Sequence, residues 1–180
     1  MKFKKVQGEN RTLEMVNNAK PKTSFFELSA TLNNESQLGF DALKGKKVLI
    51  VNTASNCGYT NQYSELQELH KKFQEKLVII GFPSNDFKEQ EKGSDEEIAS
   101  FCQINFGVSF PLAKKSVVIK STEQNKVFEW LTYKDLNGWN DQPPSWNFTK
   151  FLVNENGLLT HYFDPAVSPL STEVIGKIEH

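Results

Sequence analysis

The chain has 180 residues, with 21 lysines and arginines against 22 aspartates and glutamates, for a formal net charge of −1. That length suits one domain able to bury about 70% of its surface without a disulfide or metal. A 38% hydrophobic, 12% aromatic composition excludes a disordered chain, and the even charge excludes a partner chosen by basic excess, such as nucleic acid or an acidic membrane surface.

No apolar run approaches the ~18 residues of a membrane span, and the polar start Met1–Met15 lacks the apolar stretch of a secretory signal. A cytoplasmic setting is the expectation. Two cysteines, Cys57 and Cys102, are too few for a disulfide framework. In a reducing compartment such a pair is buried packing or redox chemistry. The sole arginine is Arg11, so the body of the chain has no guanidinium fork with which to clamp carboxylates or phosphates.

Residues 1–23 are charged and aperiodic and predict a mobile N-terminal arm; residues 24–180 predict one domain. Phe26, Leu28 and Ala30 alternate, Leu32–Glu35 has turn chemistry, and Leu38 and Phe40 alternate again, which predicts a hairpin. Val48–Val51 is a continuous β-branched run suited to a strand buried on both faces. Tyr63, Leu66, Leu69 and Phe73 mark one face of a helix beginning near Thr60 or Asn61. Leu77–Phe82 is the next buried strand, and strand–helix–strand at this spacing makes the two strands parallel. Ser94-Asp95-Glu96-Glu97 is a capping box for a helix ending at Gly107. Val117–Ile119 predicts a short strand, and Val127, Phe128 and Leu131 a third helix. Lys150–Val153 and Leu158–Phe163, joined by Asn154-Glu155-Asn156-Gly157, form an antiparallel pair, and a last helix starts at Ser171. This order is an α/β, thioredoxin-like layout: a mixed central sheet, helices on both faces and an N-terminal β-hairpin.

Cys57 follows a buried parallel strand and precedes a helix. Ligands of open α/β sheets bind at the carboxyl ends of strands. There the helix dipole and free amides favour a thiolate. Thr60 occupies the position of the second cysteine of a C-x-x-C motif, so dithiol exchange within that motif is excluded. A lone activated thiol on this fold points to attack on a peroxide. His70, His161 and His180 have no metal-ligand spacing, and no nucleotide fingerprint is present, so no cofactor is expected.

The segment Asn52-Thr53-Ala54-Ser55-Asn56-Cys57-Gly58-Tyr59-Thr60 resembles the signature around the catalytic residue of glutathione peroxidases. Gly81-Phe82-Pro83-Ser84-Asn85-Asp86-Phe87 resembles their second motif, and Trp146-Asn147-Phe148 with Lys150–Val153 their third. The likeness runs from about Phe25 to the C-terminus and implies a cysteine, non-selenium member. It assigns Cys57 as the peroxidatic thiol, with Trp146 and Asn147 donating hydrogen bonds to the thiolate and to the leaving oxygen. Where the family usually has Gln, this chain has Asp86. An ionised Asp86 facing a thiolate would repel it, so Asp86 either donates as a neutral acid or turns away, leaving Gln90 or backbone amides in its place. Cys102 lies 45 positions after Cys57, in a segment resembling the one that carries the resolving cysteine of thioredoxin-dependent members; the alternative is helix packing. The implied activity is reduction of hydrogen peroxide or organic hydroperoxides through a sulfenic acid at Cys57. Thioredoxin is favoured over glutathione as reductant, because the body of the chain, beyond Arg11, has no arginine to clamp glutathione's carboxylates. Two alternatives stay open: a thiol redox sensor, and a one-cysteine peroxidase using glutathione. Tetrameric members of the family it resembles carry a longer assembly loop near Thr132–Ser145, so the resemblance implies a monomer.

Overall fold

The computed structural model describes residues 10–16 and 19–180. Seven strands and five α-helices follow in chain order: β1 (Thr12–Glu14), β2 (Ser29–Thr31), β3 (Gln37–Gly39), β4 (Lys47–Thr53), α1 (Gln62–Lys72), β5 (Leu77–Pro83), α2 (Asp95–Phe106), α3 (Lys126–Thr132), α4 (Lys134–Asn137), β6 (Lys150–Val153), β7 (Leu159–Phe163) and α5 (Thr172–Glu179). The main sheet has the order β1-β7-β6-β4-β5, with β4 and β5 parallel and the other pairs antiparallel. β2 and β3 form the expected hairpin, shortened by 3₁₀ turns at Phe25–Glu27 and Phe40–Leu43.

The apolar run of β4 is explained by its two neighbours. Val48 and Ile50 enter one core with Phe82, Phe128, Trp130, Phe151 and Tyr162. Leu49 and Val51 enter the other with Leu66, Leu69, Ile98 and Ile178. Successive strand residues point to opposite faces, so a strand with helices on both sides must be apolar throughout. α1, α2 and α5 cover one face and α3 covers the other.

Two expectations are corrected. The stretch predicted as a mobile arm includes β1, which pairs with β7 from Thr12↔Phe163 to Glu14↔His161; residues 1–9 lie outside the described residues. Val117–Ile119 is not a strand. The amides of Val118 and Ile119 donate to Asp86 Oδ2 at 2.6 and 3.2 Å, so a carboxylate takes the place of a neighbouring strand. The bridging residues there are Leu112 and Ala113, which bond to Gly81 and Leu32.

β6 begins with a buried charge. Lys150 is 1% exposed, and its Nζ donates to Gln62 Oε1 and to the Pro165 carbonyl, both at 2.9 Å. Burial pushes its pKa down from 10.5 to about 7. Between those values the unfolded chain holds more protons than the folded one, so stability rises with pH across that window. Urea midpoints for the chain and for Lys150→Met, taken from about pH 7 to about pH 10, should show the chain gaining on the variant by at least about 1.4 kcal/mol, the worth of one pKa unit. Cys102 and the tyrosines titrate in both proteins and cancel. Parallel curves would show that the lysine keeps its proton.

Candidate active site

Cys57 lies in the loop between β4 and α1, half-buried at the edge of the core that includes Leu49, Tyr63, Cys102 and Phe148. Its Sγ accepts the amide of Tyr59 at 3.4 Å. No other hydrogen bond reaches the sulfur among the described residues. Thr60 fixes the loop: its Oγ1 accepts the Cys57 amide at 2.9 Å and donates to the Ala54 carbonyl at 3.1 Å, while its amide donates to the Cys57 carbonyl. The residue that stands where a second redox cysteine would be is thus a hydrogen-bonded staple. α1 begins at Gln62, one or two residues later than the sequence suggests, because a run of i→i+3 bonds from Cys57 to Asn61 precedes it. The tight turn keeps the sulfur at the positive end of α1.

Trp146 and Asn147 arrive on the turn that leads into β6. Two bonds from Asn52 of β4 hold that turn: Asn52 Nδ2 donates to the Trp146 carbonyl at 2.9 Å, and the Phe148 amide donates to the Asn52 carbonyl at 2.6 Å. Phe148 has φ of 63°, a left-handed conformation that side chains rarely adopt. Full burial and a T-shaped contact with Tyr63 at 5.2 Å hold it there. The Trp146 ring is half-buried, 5.4 Å from the Phe87 ring, with Lys88 Nζ 5.9 Å from its centroid.

The segment after β5 completes the cluster. Asn147, fully buried, donates from Nδ2 to Gln90 Oε1 at 2.9 Å, and the Asn56 amide donates to the Gln90 carbonyl at 3.1 Å. Gln90 therefore joins the Cys57 loop to the Trp146–Asn147 turn. Asp86 does not: its carboxylate is turned to the amides of Val118 and Ile119. Consecutive left-handed residues, Lys88 (φ 51°) and Glu89 (φ 52°), reverse the chain between Asp86 and Gln90 and send the two side chains to different places. The sequence reading missed Glu91, a carboxylate 2% exposed that accepts the Ser55 hydroxyl at 3.0 Å. Burial raises its pKa. Its only sequence signal is its place beside Gln90. A cleft of about 350 Å³ opens here, between the Cys57 loop and α2, lined by Ser55, Asn56, Glu91, Glu97, Ile98 and Phe101 among others.

Cys102 is 0% exposed on the inner face of α2. Burial pushes its thiol up to about 11, so in this conformation it is neutral and closed to solvent. The capping box on Ser94 and Glu97 and the left-handed Gly107 bound α2 as predicted. No cluster of metal-ligating side chains occurs among the described residues, and no helix there is long and apolar enough to cross a membrane.

The glutathione peroxidase family pattern matches residues 25–132. The chain is 45% identical over 152 residues to glutathione peroxidase-like peroxiredoxin 2 of Saccharomyces cerevisiae, covering 84% of this chain and 93% of that protein. It is 41% identical over 150 residues to glutathione peroxidase-like peroxiredoxin HYR1 of the same yeast, covering 83% and 91%. The crystal structure of T. cruzi GPX1 superposes with a TM-score of 0.64 at 26% identity, covering 86% of this chain and 93% of that one. Together with the thioredoxin-like sheet and a lone cysteine at the head of α1, this places the chain in the glutathione peroxidase family, as a member with cysteine at the reactive position.

Proposed function

We propose that this peroxidase works through Cys57 and is recycled by a protein dithiol of the thioredoxin type. One observation carries the reading: a half-exposed sulfur accepts an amide at the head of α1, while Asn147 and Gln90 are bonded to one another beside the same loop. The Cys57 thiolate attacks one peroxide oxygen. An S–O bond forms, the O–O bond breaks, and the alkoxide or hydroxide leaves with a proton, giving Cys57 sulfenic acid and an alcohol or water. Trp146 Nε1–H and Asn147 Nδ2–H supply donors for the charge that moves to the leaving oxygen. Asn147 exchanges its Gln90 partner for the substrate at that moment.

Resolution draws on Cys102. Its thiol condenses with the sulfenic acid to form a disulfide and release water, and an external dithiol reduces the disulfide by exchange. A disulfide needs Cα atoms within about 7 Å and matching side-chain geometry; Cys102 is wholly buried on α2, so in this cycle α2 opens to present it. α2 is suited to that, since Ile98 and Cys102 are its only fully covered side chains. The cleft beside the Cys57 loop carries Glu89 and Glu97 against Lys92, a lining with no excess of positive charge to hold glutathione's two carboxylates, which supports the choice of a protein reductant. Two free thiols fit a reducing, cytoplasmic setting. The stretch after α3 closes on its own chain, with Asn137 and Asn140 bonded to the carbonyls of Trp130 and Leu131, and supports a monomer. Burial of Cys102 favours the one-cysteine alternative; the second test below decides between them.

Cys57→Ser should abolish peroxide consumption with little change in thermal midpoint; more than trace turnover would remove Cys57 from the mechanism. Cys102→Ser should still oxidise in one turnover but accumulate sulfenic acid at Cys57, read by mass after dimedone labelling. Undiminished thioredoxin-dependent turnover in that variant would return Cys102 to packing. Because Asp86 faces away from the sulfur, Asp86→Asn, Asp86→Gln and Asp86→Ala should leave the pH midpoint of Cys57 alkylation within about half a unit, while Asp86→Ala lowers stability by roughly 1–3 kcal/mol through its orphaned amides. A shift of a full unit would put Asp86 beside the thiolate.

A further inference from the structure

The sole arginine of the chain is bound to a fully buried aspartate beside the Trp146 turn. Asp164, 0% exposed at the end of β7, accepts the Arg11 amide at 2.8 Å and Arg11 Nε at 3.0 Å on Oδ2, with Nη2 3.5 Å from Oδ1. The Asp164 amide donates back to the Arg11 carbonyl at 2.9 Å. Oδ1 also accepts the Tyr162 hydroxyl at 2.9 Å and the Ser145 hydroxyl at 3.4 Å, and the Tyr162 hydroxyl lies 3.5 Å from the Pro143 carbonyl. Ser145 immediately precedes Trp146. The backbone pairing of β1 with β7 needs none of these side chains, yet they converge on residues 143–145, the approach to the third motif.

We propose that Arg11 is a positioning residue of the active site: through Asp164 and Ser145 it fixes the approach to the Trp146–Asn147 turn, so the N-terminal strand sets how those donors face Cys57. The inference rests on the reading of Trp146 and Asn147 given above. A buried carboxylate is tolerable only when paired and hydrogen-bonded, and Arg11 is the one cation hydrogen-bonded to Asp164 among the described residues. Without the guanidinium, Asp164 either moves toward water, releasing Ser145 and Tyr162, or takes a proton and donates where it had accepted. Each response loosens the upstream side of the turn, while Asn52 continues to hold its downstream side.

The test compares Arg11→Gln, the double change Arg11→Gln with Asp164→Asn, Ser145→Ala and Trp146→Phe in the full-length chain. Three quantities are read: the rate constant of Cys57 oxidation by hydrogen peroxide in a single turnover, the pH midpoint of Cys57 alkylation, and the thermal midpoint. Arg11→Gln should slow oxidation roughly tenfold, less than the roughly hundredfold of a full ångström's misplacement, and raise the alkylation midpoint under conditions where it is folded. The double variant buries no unpaired charge and keeps a side-chain oxygen for Ser145 and Tyr162, so it should recover most of the rate. Arg11→Gln with a lower thermal midpoint but an unchanged rate and alkylation profile would reduce Arg11 to a staple of β1 and overturn the proposal. Should Arg11→Gln not fold, Ser145→Ala, which cuts the tie at its loop end and leaves the ion pair intact, must show the same slowing; full activity there overturns the proposal as well. Trp146→Phe separates the two levels: no loss in that variant sinks the donor reading itself, whereas a loss there with none in Arg11→Gln sinks only the positioning role.

Discussion

The candidate active site depends on the antiparallel pairing of β4 with β6. β4 ends where the Cys57 loop begins, and β6 begins where the Trp146–Asn147 turn ends, so one ladder brings both ends of the site to the same edge of the sheet. Asn52 extends the pairing beyond the last ladder residue by bonding on both sides of Asn147, to the Trp146 carbonyl and the Phe148 amide. A buried asparagine inside a strand of apolar residues is costly unless its polar atoms are used; here its amide nitrogen sets the turn, while its Oδ1 is buried without a hydrogen-bond partner among the described residues. The left-handed Phe148 costs on the order of 1–3 kcal/mol and persists because its ring is locked against Tyr63 in the core. Groups held by strands keep their geometry better than groups held by loops, and Asn147 is held by a strand at one remove.

Around this ladder the interior carries charge. Lys150 ties β6 to Gln62 of α1 and to the Pro165 carbonyl. Asp164, one residue earlier, ties β7 to Arg11 and Ser145. Gln62 also donates to Pro165, at 2.7 Å. The Asp164–Pro165 corner is therefore a junction at which the start of α1, the approach to Trp146 and the N-terminal segment meet. Removing Lys150 leaves Gln62 Oε1 without its donor, and removing Asp164 leaves the buried Tyr162 hydroxyl without its carboxylate, which is the expensive half of a hydrogen bond.

Much of the fold is legible because its signals are local. β4 and β5 announce themselves by apolar runs, α2 by its capping box, and the β6–β7 turn by Asn156-Gly157. Cys57 is legible because strand, loop and helix follow one another directly. What failed depends on long-range partners. β1 is three residues without periodicity, stabilised by Phe163 and Asp164 some 150 positions away. Val117–Ile119 has strand composition, but its amides find a carboxylate from another loop. The choice between Asp86 and Gln90 turned on the paired left-handed residues Lys88 and Glu89, neither of which is a glycine that would have betrayed the reversal. Glu91 reads as one more surface charge until Ser55 and α2 close over it.

The proposed cycle asks opposite things of the two sides of Cys57. Attack on peroxide needs donors held to fractions of an ångström, and the strand side supplies that through Asn52, Asp164 and Lys150. Resolution needs Cys102 to leave a core in which it is wholly buried, and the α2 side permits it. α2 is held to the rest of the molecule by few deeply covered groups: Ile98 and Cys102 within the helix, and the reciprocal Gln67–Ser109 bonds just beyond it. Opening α2 would uncover Ile98, Cys102 and the partly buried Phe101 and Phe106, whose ring lies 5.6 Å from that of Tyr63, but α2 is no part of the ladder that carries Asn147 and Trp146. The lifetime of the sulfenic acid is then set by the opening of one helix, independently of the geometry that made it.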